Sequence, residues 1–244
     1  MDEYNASTYG DRIADVYDDW YGELFDTDGA VDLLARLADG GRALELAIGT
    51  GRVAVPLTGA GVEVHGVDAS EAMVAKLRAK PHGADIPVAM GDFTDVDVQG
   101  KFSLVYVVFN TFFALTSQRD QVTCFRNVAE HLDDNGIFVI EAFVPDPTRF
   151  DRGQRVDAGR VEPGEVVIDA SRHDPVNQRT YANHIRITED GTRLYPVQIR
   201  YAWPPELDLM AELAGLVLKE RWAGWREQPF TASSEAHVSV YGRP

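Results

Sequence analysis

The 244-residue chain is 45% hydrophobic, enough for a substantial core, and its 23 basic against 39 acidic residues leave a formal charge of -16. That balance repels nucleic-acid phosphates and anionic membranes and suits neutral or cationic small molecules, so neither nucleic acid nor membrane is an expected partner. The single cysteine, Cys124, excludes an intrachain disulfide and a multi-thiolate zinc cluster. A reducing cytoplasm fits this, as does the start Met1-Asp2-Glu3-Tyr4, which is acidic where a signal peptide is basic; no run reaches the length of a membrane span.

In chain order, residues 9–37 read as largely helical, with Ile13, Val16, Tyr17, Trp20 and Tyr21 forming an apolar, aromatic stripe. Short apolar runs at 43–46, 63–67, 87–90, 102–108 and 137–143 follow, the pattern of parallel strands buried by crossover helices. Helices are predicted over 51–58, 70–80 and 117–131, the second capped by Ser70 with Glu71 in its first turn. The fold class is therefore α/β, a doubly wound sheet with an amino-terminal helical cap.

Past Pro145 the texture changes. Residues 146–164, rich in Pro, Gly, Asp and Arg, read as a connection leading out of the sheet. Residues 165–172, 179–188 and 193–203 predict a three-stranded antiparallel meander, turning at Asp174-Pro175 and at Glu189-Asp190-Gly191. Pro196 cannot donate a ladder hydrogen bond, which assigns its strand to an edge or a bulge. A helix over 205–214, closed by Gly215, and strands at 216–222 and 236–241 complete the main sheet. The expected organisation is a Rossmann-like cofactor region over 1–145, an antiparallel β insertion over 146–204 acting as lid or dimer element, and a closing unit over 205–244.

The most informative stretch is Ala43-Leu44-Glu45-Leu46-Ala47-Ile48-Gly49-Thr50-Gly51-Arg52, a strand, a glycine-bearing turn and a helix start. Glycine there lets the backbone approach a ligand closely. Asp68 closes the next strand, where an acid accepts hydrogen bonds from ribose hydroxyls, with Ala69 and Met73 following it. A glycine turn plus an acid also suits a nicotinamide or flavin dinucleotide, but the G-x-G-x-x-G spacing is missing. Glu45 would oppose a pyrophosphate, whereas it attracts the ammonium and sulfonium of S-adenosylmethionine (SAM). Gly91-Asp92-Phe93 adds a loop on the same edge, its acid placed to accept from an adenine amino group and its ring to stack.

These motifs resemble those of the class I SAM-dependent methyltransferases, over about residues 9–143 and with matching topology to the carboxyl end. The resemblance implies a Rossmann-like class I methyltransferase sheet with an antiparallel β insertion after the fifth strand. It also implies that Glu45, Gly49 and Gly51 cradle the methionine portion of SAM, that Asp68 holds the ribose and that Asp92 with Phe93 reads the adenine. Ala47 departs from the glycine more often found there, a methyl group that narrows the loop slightly. Within the family, Tyr9 and Tyr17-Asp18-Asp19-Trp20-Tyr21 look like the segment that closes over SAM in bacterial small-molecule enzymes, among them N-methyltransferases of antibiotic sugars and amines.

An aromatic face or phenol oxygen beside a sulfonium stabilises positive charge, which makes Tyr9 and Tyr17 candidates for cofactor and substrate positioning, against ordinary helix packing. Asn110, just beyond the fourth strand, is a further candidate, with Phe112 and Phe113 as the floor on which the acceptor meets the methyl group. Arg52, at the helix start, completes the cofactor set. Among the six histidines, His65, His82, His131, His173, His184 and His237, no pair has metal-ligand spacing, so no metal is expected. His173 and His184 read as surface residues of the meander, one of them a proton acceptor only if that sheet folds over the site. The expected product is S-adenosylhomocysteine (SAH), and the expected acceptor a small molecule methylated at an amine nitrogen by a monomer or homodimer. Transfer to oxygen or carbon, and a non-catalytic SAM-binding or scaffold protein, are the alternatives.

Overall fold

The computed structural model describes residues 4–22 and 24–244. Met1, Asp2 and Glu3, on which the signal-peptide argument rests, and Glu23 within the segment expected to be largely helical lie outside them. The apolar runs of the first half become parallel strands because side chains on both their faces are covered. These are β1 (Ala43–Leu46), β2 (Val64–Asp68), β3 (Val88–Met90), β4 (Phe102–Val107) and β5 (Leu132–Phe143). Every residue of β1 is buried. Crossover helices α4 (Ala54–Gly59), α5 (Glu71–Ala79) and α6 (Gln118–His131) connect them. Ser70 caps α5 as expected, its side chain accepting from the Met73 amide, and Ser117 caps α6 through Asp120.

The fifth strand begins earlier than its apolar run. Leu132 already pairs with Phe102, and the pairing then skips to Ile137 opposite Leu104. The intervening Asp-Asp-Asn-Gly, which reads as a turn, is accommodated as an irregularity within the strand.

The amino-terminal segment is largely helical as expected, and among the described residues its helices are α1 (Thr8–Ile13), α2 (Tyr17–Tyr21) and α3 (Thr27–Ala38). The break before α3 is made by Asp26, whose side chain accepts from the Gly29 amide and starts a new helix. The connection expected over 146–164 is corrected, since β6 (Gln154–Glu162) forms within it. Nearly all of β6 is exposed, so it carries no apolar periodicity to betray it. With β7 (Glu165–Asp174), β8 (Arg179–Thr188) and β9 (Gly191–Arg200) it makes a four-stranded antiparallel sheet in the order β6-β7-β8-β9. Pro196 lies on β9, an edge strand, as its missing N–H requires.

Helix α7 (Pro204–Leu213) and strands β10 (Val217–Trp222) and β11 (Ala236–Gly242) close the chain. The main sheet runs β10-β11-β5-β4-β1-β2-β3, with β11 antiparallel to β5. Strand order therefore reverses between β1 and β4, and ligands of open α/β sheets bind at the carboxyl ends flanking such a reversal. One core cluster, centred on Phe102, Phe125 and Phe138, and another, centred on Leu33, Leu104 and Tyr106, bury the sheet. A third, small cluster joins Ile13 and Val16 to Tyr195 of the four-stranded sheet, so the amino-terminal helices bridge the two sheets.

Among the described residues no helix is long and apolar enough to cross a membrane.

Candidate active site

The loop after β1 turns in the left-handed region at Ala47 (φ 56°), Gly49 (57°) and Gly51 (74°). Its shape is held by Asp68 at the end of β2: Oδ2 accepts from the Gly49 amide at 2.7 Å and Oδ1 from the Ser70 amide at 2.8 Å. Asp68 is buried, and that burial raises its carboxyl above the usual range against the pull of these amides. Ser70 donates through Oγ to Asp11 at 2.6 Å, which ties α1 to the start of α5. Gly51 does not face a ligand space: a Cβ there would stand 2.3 Å from Leu77 Cδ1, so its glycine serves the turn and the packing of α5. The departure at Ala47 is conformational more than steric, since an L-residue in the left-handed region costs about 1–2 kcal/mol. Ala47→Gly is expected to raise unfolding free energy by about 0.5–1 kcal/mol in denaturant titration, the relieved strain exceeding glycine's added unfolded-state entropy.

A cavity of about 530 Å³ opens at the carboxyl ends of β1, β2 and β4. Glu45, Ala47, Gly49, Arg52, Asp68 and Ala69 line it, joined by Met73, Asp92, Phe93 and Asn110 and roofed by Tyr9 and Tyr17. The structure therefore brings together twelve of the residues singled out in the sequence. Gly51, Gly91, Phe112 and Phe113 are not among the lining residues. Phe112 and Phe113 are wholly buried in the core, Phe113 edge-on to Phe143 and Phe112 to Phe125, so the acceptor floor expected of them is corrected. Their apolarity is satisfied by packing in the layer below the loop.

The charges in the cavity are unusual. Glu45 is 2% exposed, accepts from the Tyr106 hydroxyl at 3.0 Å, and is pushed up to about 8 by burial, which outweighs that hydrogen bond and the Arg52 charge. Arg52 stands over the rings of Phe25 (5.0 Å) and Phe109 (5.6 Å) and donates to Thr27 Oγ1 at 3.0 Å. Among the described residues its Nε is buried with no hydrogen-bond partner. Burial pushes the Tyr17 phenol up to about 12, partly offset by Arg52. Burial also raises the Tyr9 phenol well above its usual value. A site with buried carboxylates, one under-satisfied guanidinium and neutral phenols can bind a ligand that carries both an ammonium and a carboxylate, plus hydroxyls for Asp68.

Sequence reasoning missed part of this wall. Phe109 and Asn110 both adopt left-handed φ (59° and 60°), and Glu141 holds them there. Its Oε2 accepts from the Phe109 amide at 2.8 Å and its Oε1 from Trp225 Nε1 at 2.8 Å, while Asn110 Oδ1 accepts from the Phe143 amide at 2.6 Å. Tyr21, Phe25 and Phe109 form an aromatic wall, with Tyr21 and Phe109 centroids 5.2 Å apart. The four-stranded sheet supplies His184, Val197 and Ile199 to the lining. His173 lies elsewhere, buried, stacked on Phe150 and bonded to the Tyr201 hydroxyl at 2.9 Å. The only signal for His184 is its place on an alternating strand, which becomes informative once the sheet is known to cover the site.

Comparison with known proteins agrees with this geometry. A methyltransferase domain family matches residues 43–136. The CcbJ methyltransferase from Streptomyces caelestis is 43% identical and superposes with a TM-score of 0.91, covering 98% of this chain and 99% of that one. The cypemycin N-terminal methyltransferase of a Streptomyces species is 28% identical over 98% of this chain and 99% of its own length. At the level of fold, the chain also resembles SAM-bound CalS10, an amino pentose methyltransferase from Micromonospora echinaspora, with a TM-score of 0.71, 21% identity and coverage of 100% and 99%.

Proposed function

The chain belongs to the class I SAM-dependent methyltransferases, and from that premise we propose that it methylates an amine nitrogen of a small molecule, within the cavity at the carboxyl ends of β1, β2 and β4. The observation that carries this reading is the continuity of that cavity: the carboxylate-bearing glycine loop and an aromatic chamber roofed by the amino-terminal helices share one space of about 530 Å³. A chamber of that size takes a cofactor and a compact acceptor, not a folded macromolecule. The net charge of -16 argues against nucleic acid, and the name of the cypemycin relative supports an amino group as the acceptor.

The residues fit the cofactor. We assign Asp68 to the ribose hydroxyls, since two of its roughly four acceptor positions are taken by amides and the others remain. Arg52, whose Nε has no partner among the described residues, suits the cofactor's carboxylate, and Glu45 its ammonium. Asp92, positioned by the Thr94 amide at 2.8 Å, and Phe93 suit the adenine. Ala69, Met73, Ala47 and Gly49 shape the space between. Bound SAM supplies a methyl group on a positively charged sulfur, open to attack by a lone pair. The chain's part is alignment and exclusion of water: Tyr9 and Tyr17 cover the reacting space, and Asn110 fixes the loop on the acceptor side. Holding reacting atoms near contact supplies roughly 7–11 kcal/mol of barrier reduction.

SAH release is measured with a panel of aliphatic amines (free-amino-terminus dipeptide amides, methyl glycosides of 4-aminosugars and N-methylalkylamines) beside phenols and carboxylic acids of similar size. Turnover with at least one amine, and none with its hydroxyl analogue, is expected. Turnover of the oxygen acceptors alone would refute the nitrogen assignment.

A further inference from the structure

Resting on the amine reading above, we propose that His184, oriented by Asp169, is the base that takes the proton from the acceptor's ammonium before transfer. The assignment begins with strand register. Asp169 on β7 stands directly opposite His184 on β8, and Tyr195 on β9 stands opposite it on the other side. Directly opposed residues of an antiparallel pair project to the same face. The Asp169 carboxylate accordingly meets His184 Nδ1. The imidazole itself lines the cavity, with 23% of its side chain exposed.

A carboxylate on Nδ1 fixes the tautomer in which that nitrogen carries the hydrogen and Nε2 carries the lone pair. The basic nitrogen is thus the one left for a molecule in the cavity. Trp20 of α2 packs edge-on against the imidazole at 6.2 Å and against Tyr195 at 5.1 Å, which limits rotation of the ring. Among the described residues, the titratable and charged groups around it are Asp169 on β7 with Asp157 opposite it on β6, Tyr195 on β9, Tyr21 on α2 and Arg186 two residues along β8. Arg186 is occupied by Glu165, Nη2 to Oε2 at 2.6 Å. Among the described residues Asp169 is therefore the charged group in contact with the imidazole.

The chemistry needs such a group. An aliphatic amine arrives at neutral pH as an ammonium, which has no lone pair, and a cavity bearing carboxylates favours that charged form. Transfer of one proton from R₂NH₂⁺ to Nε2 leaves R₂NH with its lone pair free and an imidazolium, whose charge Asp169 balances. The proton then leaves to solvent through the exposed side of the imidazole. General bases of this kind contribute about 10²–10⁴-fold.

The test uses wild type, His184→Gln and Asp169→Asn with the aliphatic amine that the wild type turns over fastest in the panel above, and with the alkoxyamine of the same skeleton, which is already unprotonated at neutral pH. Calorimetry with SAM first establishes that each variant keeps its fold and cofactor affinity. For His184→Gln, kcat/KM with the amine is expected to fall by about 100-fold at pH 7. That loss should shrink as pH rises toward the amine's own deprotonation, and the alkoxyamine should show little loss; Asp169→Asn follows the same pattern more mildly. An equal, pH-independent loss with both probes, or no loss at all, overturns the proposal while the amine reading stands. Absence of amine turnover by the wild type defeats both.

Discussion

Asp68→Ala is expected to weaken SAM binding by about 100-fold or more in calorimetry and to lower the melting temperature of the ligand-free protein. The carboxylate holds the amides of Gly49 and Ser70, and both are removed from water. Deleting it leaves two donors unpaired at about 1–3 kcal/mol each. The loop then loses the shape on which the cofactor rests, and the ribose loses a charged acceptor worth about 1.5–3 kcal/mol. Asp68→Asn is expected to fare little better, because its amide oxygen can accept at only one of the two sites and its amide nitrogen opposes an N–H at the other. Wild-type affinity in either variant would remove Asp68 from the cofactor site.

Affinity for SAM should rise with pH up to about pH 8, because Glu45 titrates there and binds a cation only when ionised. Burial without full compensation makes the carboxyl a weak acid, and an incoming ammonium or sulfonium draws the proton off. The sign for stability is opposite. Between the ordinary value of 4.5 and about 8 the folded protein holds a proton that the unfolded chain has released, so ligand-free stability falls as pH rises through that window. SAM offsets that loss, so its thermal shift should be larger at pH 8 than at pH 6. Glu45→Gln, a fixed neutral isostere, is expected to bind SAM about tenfold more weakly at pH 8 and to lose the added pH dependence; titration of the ligand's own amine is common to both proteins. Calorimetry in buffers of different ionisation enthalpy reads the released proton directly, and equal proton release by wild type and Glu45→Gln would exclude Glu45 as its source.

Much of the glycine-loop side of the cavity is legible in the sequence because its logic is local. Glu45 and Asp68 lie on, and Gly49 just beyond, short apolar strands whose burial is written as nearly unbroken hydrophobic runs. Gly51 and Gly91 look alike in sequence, yet neither lines the cavity; one supports a turn against Leu77, and chain-local reading cannot separate conformational glycines from ligand-facing ones. Phe113 failed for a similar reason, since an aromatic just beyond a strand suits core and pocket equally, and only the three-dimensional position of Phe143 decides. The side of the cavity formed by the four-stranded sheet is non-local. His184 gains meaning from Asp169 across a strand pair and from Trp20 on a distant helix. Strand β6, exposed along nearly its whole length, has no periodic signal to read.

The most direct measurement is a crystal structure with SAH. The expected result has the ribose hydroxyls on Asp68, the amino-acid carboxylate on Arg52 and the adenine beside Asp92 and Phe93, with the sulfur facing the aromatic chamber beneath Tyr9 and Tyr17. SAH bound away from the carboxyl ends of β1 and β2, or bound there with its ribose out of reach of Asp68, would contradict the account.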